Sequence, residues 1–449
     1  MVFSKEMGLY QLLLWPCLVF LFSHVSVALE RCSSSTHGGF CPSRNTCCRP
    51  ADESWIQDSA GCLPSDLGPY NATCCSDGLT GCGVDYECGP DATCVALPGN
   101  TDPLVQTLPR YQLCHAPNMQ VIFGLGEDDI RSAYYSSLGK LEALTRDSPI
   151  REVIFVVHGA ARNADDYFCT MHSVVEKQST FSKDEVFVVA PRFAAHSDEP
   201  FALRNGGIPM RWKGGSWRYG AESGNGVSSF TVLDQMIGLV EDKEIFPALE
   251  HIKVIGHSAG GQYVQRWALL TNAWPNDISL QVIVVNPSSF AYLTPLRKSA
   301  ELEWTIPNKS ECPEYNEWEW GLEPNESSPA YVQNALNIRT TDQLTQRFAM
   351  RDVVYLAGGR DICNVPGNSK NGWCYSHGLE TKCMDLLEGK NRLERHMNYF
   401  ESIQLVNVTA HRRSLVPDVG HDHSLVFHSE VAMSYLFETT QTEDLLSEQ

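Results

Sequence analysis

The chain has 449 residues, 43% of them apolar, enough for one large domain with a substantial core and a small domain beside it. Its 54 Asp and Glu against 34 Lys and Arg give a net charge of −20, which opposes contact with nucleic acid and with anionic membrane surfaces. Polyanion binding is therefore set aside, and the acidic balance reads as a solvated surface.

Lys5 precedes an apolar run from Leu9 to Phe22, and Ser26-Val27-Ala28 supplies small residues at cleavage spacing. Residues 1–28 read as a signal peptide and the mature chain as a secreted protein without stable membrane insertion. The run also approaches the length of a membrane span, so an uncleaved signal anchor in the secretory pathway is the alternative. No later run is long enough to span a bilayer, and Thr442 to Gln449 carry no hydrophobic lipid-anchor tail.

Setting Cys17 aside leaves 16 of the 17 cysteines, ten of them between Cys32 and Cys94 and six spread over Cys114, Cys169, Cys312, Cys363, Cys374 and Cys383. Both groups are even, as expected of disulfides in an exported chain. Sequons at Asn71, Asn308, Asn325 and Asn407 are candidate glycosylation sites that only the secretory pathway would use.

Residues 29–97 have little apolar periodicity and much Cys, Gly, Pro, Ser and Asp, so disulfides rather than a core must hold them. Zinc is the rival use of clustered cysteines, but exported thiols oxidise and no metal site is expected. The vicinal pairs Cys47-Cys48 and Cys74-Cys75, with Cys41 and Cys62 around them, partly resemble granulin-type or small chitin-binding modules, which implies a glycan partner. Residues 98–113 have linker composition.

From residue 114 to 449 short apolar runs alternate with helical patterns, which predicts an α/β domain on a mostly parallel, buried sheet. The expected strands are Gln120–Phe123, Val153–Val157, Val186–Val189, Ile252–Ile255, Leu280–Val285, Val353–Leu356 and Ser414–Val416. The clearest helices are Phe230–Leu239 and Gly261–Leu270. Residues 287–345, rich in proline and acid and holding Trp304, Trp318 and Trp320, read as an excursion above the sheet. A cap and a solvated insertion are the two readings of it.

The most informative stretch is Gly256-His257-Ser258-Ala259-Gly260, lying between a strand and a helix. Gly-x-Ser-x-Gly arises by chance on the order of 0.1 times in such a chain, and the strand–turn–helix setting lowers this further. That setting is a nucleophile elbow, with Ser258 as nucleophile. A serine hydroxyl needs a base, a carboxylate to orient the base, and donors for the oxyanion. Asp361 follows the strand ending Tyr355-Leu356-Ala357-Gly358, whereas Asp352 stands at that strand's far end. His421 follows the last strand, with His423 two residues on and Asp418 and Asp422 flanking. The order Ser, Asp, His is that of the α/β-hydrolase fold. His421 is the expected base and His423 its rival.

The oxyanion donors are expected to be the N–H of Ala259 and that of Ala160, in the loop His158-Gly159-Ala160 after an early strand. His158 is expected to orient this loop and His257 to pack locally. Trp212 and Trp217, in a glycine-rich loop, are candidates to present aromatic surface to a substrate, with ordinary packing as the alternative.

Gly256 to Gly261, the loop from His158 through Arg162-Asn163-Ala164-Asp165-Asp166 to Tyr167, and Val419-Gly420-His421 together resemble secreted α/β-hydrolases of microbial and fungal type. The Ala-Asp-Asp-Tyr loop and the Ser-Ala-Gly-Gly turn are similar to those of feruloyl esterases and polyhydroxyalkanoate depolymerases. The resemblance covers residue 114 to the C-terminus and implies an α/β-hydrolase fold and a cofactor-free Ser-His-Asp esterase acting on a small-molecule or polymer ester. A peptidase or amidase on the same triad, and a non-catalytic glycan- or receptor-binding protein, are the alternatives.

Overall fold

The computed structural model describes residues 130–139, 148–198, 208–362 and 379–437, together with the backbone of short strands between Leu29 and Ile122. The expected signal segment, the linker, Asn71, Cys114, Cys363 and Cys374 lie outside the described residues, as do the disulfides expected of residues 29–97. Within that cysteine-rich stretch the backbone forms four two-stranded antiparallel pairs. They join Leu29–Arg31 to Phe40–Pro42, Cys47–Cys48 to Gly61–Cys62, Thr73–Cys74 to Gly81–Cys82 and Tyr86–Cys88 to Cys94–Ala96.

The large sheet contains β1 (Gln120–Ile122), β2 (Ile130–Ser136), β3 (Glu152–Val157), β4 (Val186–Arg192), β5 (Ile208–Pro209), β6 (His251–His257), β7 (Ser279–Val285), β8 (Asp352–Gly358) and β9 (Arg412–Val416). Its order is β5-β2-β4-β3-β6-β7-β8-β9, with β1 paired to β2. The run from β4 to β9 is parallel throughout, and β2 is antiparallel to β4. This is the mostly parallel sheet of an α/β-hydrolase fold, flanked by helices. Chain order reverses between β3 and β6, so their C-terminal tips open a crevice at a topological switch point.

The central strands read as unbroken apolar runs because helices cover both faces. Alternation still sorts the side chains. Val153, Phe155 and Val157 of β3 join one core with Phe230 and Leu233 of α2 (Ser229–Val240) and Val264 and Trp267 of α3 (Ala259–Leu270). Ile154 and Val156 join the other, with Phe168 and Met171 of α1 (Ala164–Lys177) and Val426 and Phe427 further on.

One strand was not expected from the sequence. β2, Ile130-Arg131-Ser132-Ala133-Tyr134-Tyr135-Ser136, is too polar to read as a strand, and it pairs near the sheet's edge, where such a composition is tolerated. Residues 287–345, read as an excursion above the sheet, hold regular elements of their own. They carry a small hairpin (Arg297–Lys298 with Trp304–Thr305) and α4 (Ala330–Ile338), and run into α5 (Thr341–Ala349), whose Leu344 and Phe348 pack into the main core. Trp318 and Trp320 are buried, and a disulfide joins Cys312 of this stretch to Cys383 at the start of α6 (Cys383–Glu388). After α6 come α7 (Arg392–Gln404), α8 (His423–Phe427) and α9 (Glu430–Phe437). Among the described residues no helix is long and apolar enough to cross a membrane.

Candidate active site

Ser258 sits between β6 and α3 at φ 58° and ψ −118°, a conformation that costs a residue with a Cβ on the order of 1–3 kcal/mol. Local packing imposes it. A Cβ on Gly256 would overlap the Gly260 carbonyl, and one on Gly260 would overlap the carbonyls of Val157 and His158, so strand, turn and helix meet only with glycine at both places. The Ser258 N–H donates to Val285 O at 2.9 Å and its carbonyl accepts from Gln262 N at 3.0 Å. Its hydroxyl makes no cap to the helix, although serine is a preferred cap residue, and is turned elsewhere.

It is turned to His421. The two are 2.9 Å apart, Oγ to Nε2, and on the other side of the ring Nδ1 lies 2.7 Å from Asp361 Oδ2. A carboxylate accepts, so Nδ1 carries the proton and donates it to Asp361, which leaves the Nε2 lone pair to accept from the Ser258 hydroxyl. Asp361 is 1% exposed, whereas Ser258 and His421 are partly open to solvent. The three come from the tips of β6, β8 and β9, and the parallel register brings those tips level.

The rival residues have other partners. His423 stacks on Tyr167 with ring centroids 4.0 Å apart, and its Nε2 faces Thr170 Oγ1 at 3.3 Å and Asp166 Oδ2 at 3.4 Å. Asp352, at the opposite end of β8, pairs with Arg412 and accepts from Gln281. Asp418 accepts from Arg360 at 2.6 Å, and Asp422 caps α8 by accepting from Leu425 N at 2.9 Å.

The loop after β3 closes on Ser258. A Cβ on Gly159 would lie 3.7 Å from the Ser258 Cβ, an ordinary contact, and 2.8 Å from the Tyr167 hydroxyl, which would have to shift. His158 fixes the loop from inside: Nδ1 donates to Gly159 O at 2.9 Å and Nε2 accepts from Phe193 N at 2.9 Å. Complete burial pushes its pKa down to about 3, so it stays neutral and keeps both bonds at any working pH. From outside, Arg162 donates to Ala160 O at 2.7 Å and pairs with Asp198 at 2.7 Å. Ala160 itself is exposed, and Ala259 opens α3, where N–H groups have no acceptor within the helix.

Trp212 and Trp217 are not where a substrate surface would need them. Both are 0% exposed. Trp212 donates to Ala221 O at 2.9 Å, while Trp217 stacks on Phe193 at 5.1 Å and meets the His158 ring edge-on at 4.8 Å. They pack beneath the loop that faces Ser258, so their role is to support it. Glycine-rich sequence around them supplied turns, and the tryptophans filled the core behind those turns.

One site residue escaped the sequence reading. Asn286 follows β7 at φ 45° and is fully buried. Its Oδ1 accepts from Gly358 N at 2.9 Å and its Nδ2 donates to Gly420 O at 3.1 Å. One amide thus couples the loop that carries Asp361 to the loop that carries His421. The available signal was a polar residue at a strand tip between nucleophile and acid. Asn286→Ala removes both bonds and leaves two buried backbone groups unpaired, a loss of about 2–4 kcal/mol. The contact between Asp361 and His421 is expected to loosen with it, which the NMR signal of the His421 Nδ1 proton would register as exchange broadening or loss.

Comparisons with known proteins place no family on the chain. No family model matches it, and no curated protein matches. Among solved structures it is similar to LpqC, a poly(3-hydroxybutyrate) depolymerase from Bordetella parapertussis, at 20% identity and TM-score 0.47 over 72% of this chain and 91% of that one. It is also similar to poly(aspartic acid) hydrolase-1 from Sphingomonas sp. KT-1, at 17% identity and TM-score 0.44 over 72% and 99%. The siderophore hydrolase EstB from Aspergillus nidulans stands at 14% identity and TM-score 0.37 over 72% and 95%.

Proposed function

We propose that this chain is a secreted serine hydrolase that cleaves carboxylic esters through Ser258, His421 and Asp361. The observation that carries the reading is the continuous hydrogen-bonded line from Asp361 through His421 to a strained serine whose hydroxyl does no capping. In this mechanism Ser258 Oγ attacks the ester carbonyl while its proton passes to His421 Nε2, and Asp361 stabilises the imidazolium. The N–H groups of Ala160 and Ala259 receive the charge that develops on the carbonyl oxygen. His421 returns the proton to the departing alcohol, and water, deprotonated by the same ring, releases the acid from Ser258.

Glycosylation fits the exported reading best at Asn308 and Asn407, which are exposed. Asn325 is half-buried, with its amide donating to Glu317 Oε2 at 2.6 Å, which leaves a glycan less room there.

A fluorophosphonate probe tests the chemistry. The expected result is a single covalent adduct on the tryptic peptide that contains Ser258, formed faster as pH rises through the titration of His421. A chain that stays unlabelled at neutral pH, or an adduct on another residue, would overturn the assignment.

A further inference from the structure

The first turn of α7 poses an electrostatic problem. Two arginines, Arg392 and Arg395, lie there, 2% and 0% exposed, at the helix end whose dipole disfavours positive charge. Arg395 is accounted for by carbonyl oxygens, since it donates to those of Gly389, Ser288 and Glu380. Arg392 is turned the other way, toward the acid of the active site. Its Nη1 stands 3.9 Å from Asp361 Oδ1, the oxygen not bonded to His421. The helix is also fastened there, because Leu393 N donates to the Asp361 carbonyl at 3.1 Å.

We propose that Arg392 is a positioning residue for the Ser258–His421–Asp361 system: its buried charge holds Asp361 ionised and offsets part of the pull that Asp361 exerts on His421, so that His421 works as a base at lower pH. The inference rests on the hydrolase reading above. At 3.9 Å the contact exceeds a hydrogen bond, so Arg392 acts through its field, which a buried setting screens weakly.

The neighbouring charges leave that field in place. On α7, burial pushes His396 down to about 3, so it is neutral; it lies near both Asp361 and Arg413 of β9. Arg395 and Glu380 face Arg392 with opposite signs. From the end of β6, the His257 ring packs 4.5 Å from that of His421 and bonds to the Tyr167 hydroxyl at 2.9 Å. Further out, Arg360 pairs with Asp418 across the same two loops.

The sign follows directly. A positive charge near His421 disfavours the imidazolium and lowers its pKa, and the same charge favours the carboxylate of Asp361. Removing it raises both, and each rise moves the acidic limb of activity to higher pH.

The test is the pH dependence of fluorophosphonate labelling, and of ester turnover, for wild type, Arg392→Met and Arg392→Lys. The acidic limb of Arg392→Met is expected to move up by about one pH unit, while Arg392→Lys keeps the wild-type limb and loses only rate. A limb unchanged in Arg392→Met, or moved equally in Arg392→Lys, would overturn the proposal. Should Arg392→Met fail to fold, the NMR titration of His421 in Arg392→Gln beside wild type decides: a pKa moved up in the variant supports the role, and one unchanged or lowered overturns it. Wild type that never labels would instead overturn the hydrolase reading itself, so the two failures are distinct.

Discussion

Replacing Ser258 with alanine is expected to lower ester turnover by about 10⁶-fold while leaving the fold intact. The hydroxyl is the only group removed. Alanine keeps the Cβ at φ 58°, so the strain of the turn stays, and the hydroxyl made no cap whose loss would weaken α3. Thermal unfolding should therefore shift little. Ser258→Gly separates the two properties further. Glycine adopts this conformation without the Cβ penalty, so the variant should be equally inactive yet more stable than wild type by about 1 kcal/mol, after allowing for its greater freedom when unfolded. Activity retained by either variant would mean that another nucleophile operates. Destabilisation by Ser258→Gly would mean that the turn is not strained.

Asp361→Asn should cost about 10⁴-fold in turnover and, unlike the serine variants, stability as well. An asparagine amide can donate to Nδ1 where the carboxylate could only accept. His421 then settles in the tautomer that places hydrogen on Nε2, facing Ser258 with a donor where an acceptor is needed. The stability loss has a separate origin. Arg392 is buried and keeps its charge, and a neutral amide no longer shares with Glu380 in balancing it, so part of the favourable field around that charge is lost. Denaturant unfolding of the three variants side by side distinguishes these origins: Asp361→Asn should fall well below Ser258→Ala, and equal stability would remove Arg392 from the account.

What the sequence made legible and what it hid divide along a physical line. Ser258 was legible because glycines two positions to either side are demanded by backbone contacts inside a five-residue turn, so cause and signal share one short window. Asp361 and His421 were legible because strands of a parallel sheet end at one edge, and an acid or a histidine just past an apolar run is therefore placed near the others. His421 was preferred to His423 on that basis, although only the fold holds the two apart. The choice depends on which ring the short α8 turns toward Tyr167 and which it leaves beside Ser258. Asn286 and Arg392 were hidden for a different reason. Each acts across segments distant in the chain, Asn286 on Gly358 and Gly420, Arg392 on Asp361, and pairing at such separation leaves no local pattern. Trp212 and Trp217 stayed open between a substrate surface and ordinary packing because composition reports that an aromatic sits among glycines, not whether the turns lift it out or fold it in.

The Cys312–Cys383 bond joins residues 71 apart in sequence, and β8 with the tip carrying Asp361 runs inside the loop it closes. Closing a loop of that length removes unfolded-state entropy equivalent to about 4 kcal/mol, a large share of the stability of an ordinary domain. In a compartment rich in glutathione or thioredoxin that contribution is withheld from the whole fold, since the bond acts on the unfolded chain. The same polypeptide kept under reducing conditions would therefore be less stable as a whole, by an amount that denaturant unfolding with and without reductant reads directly.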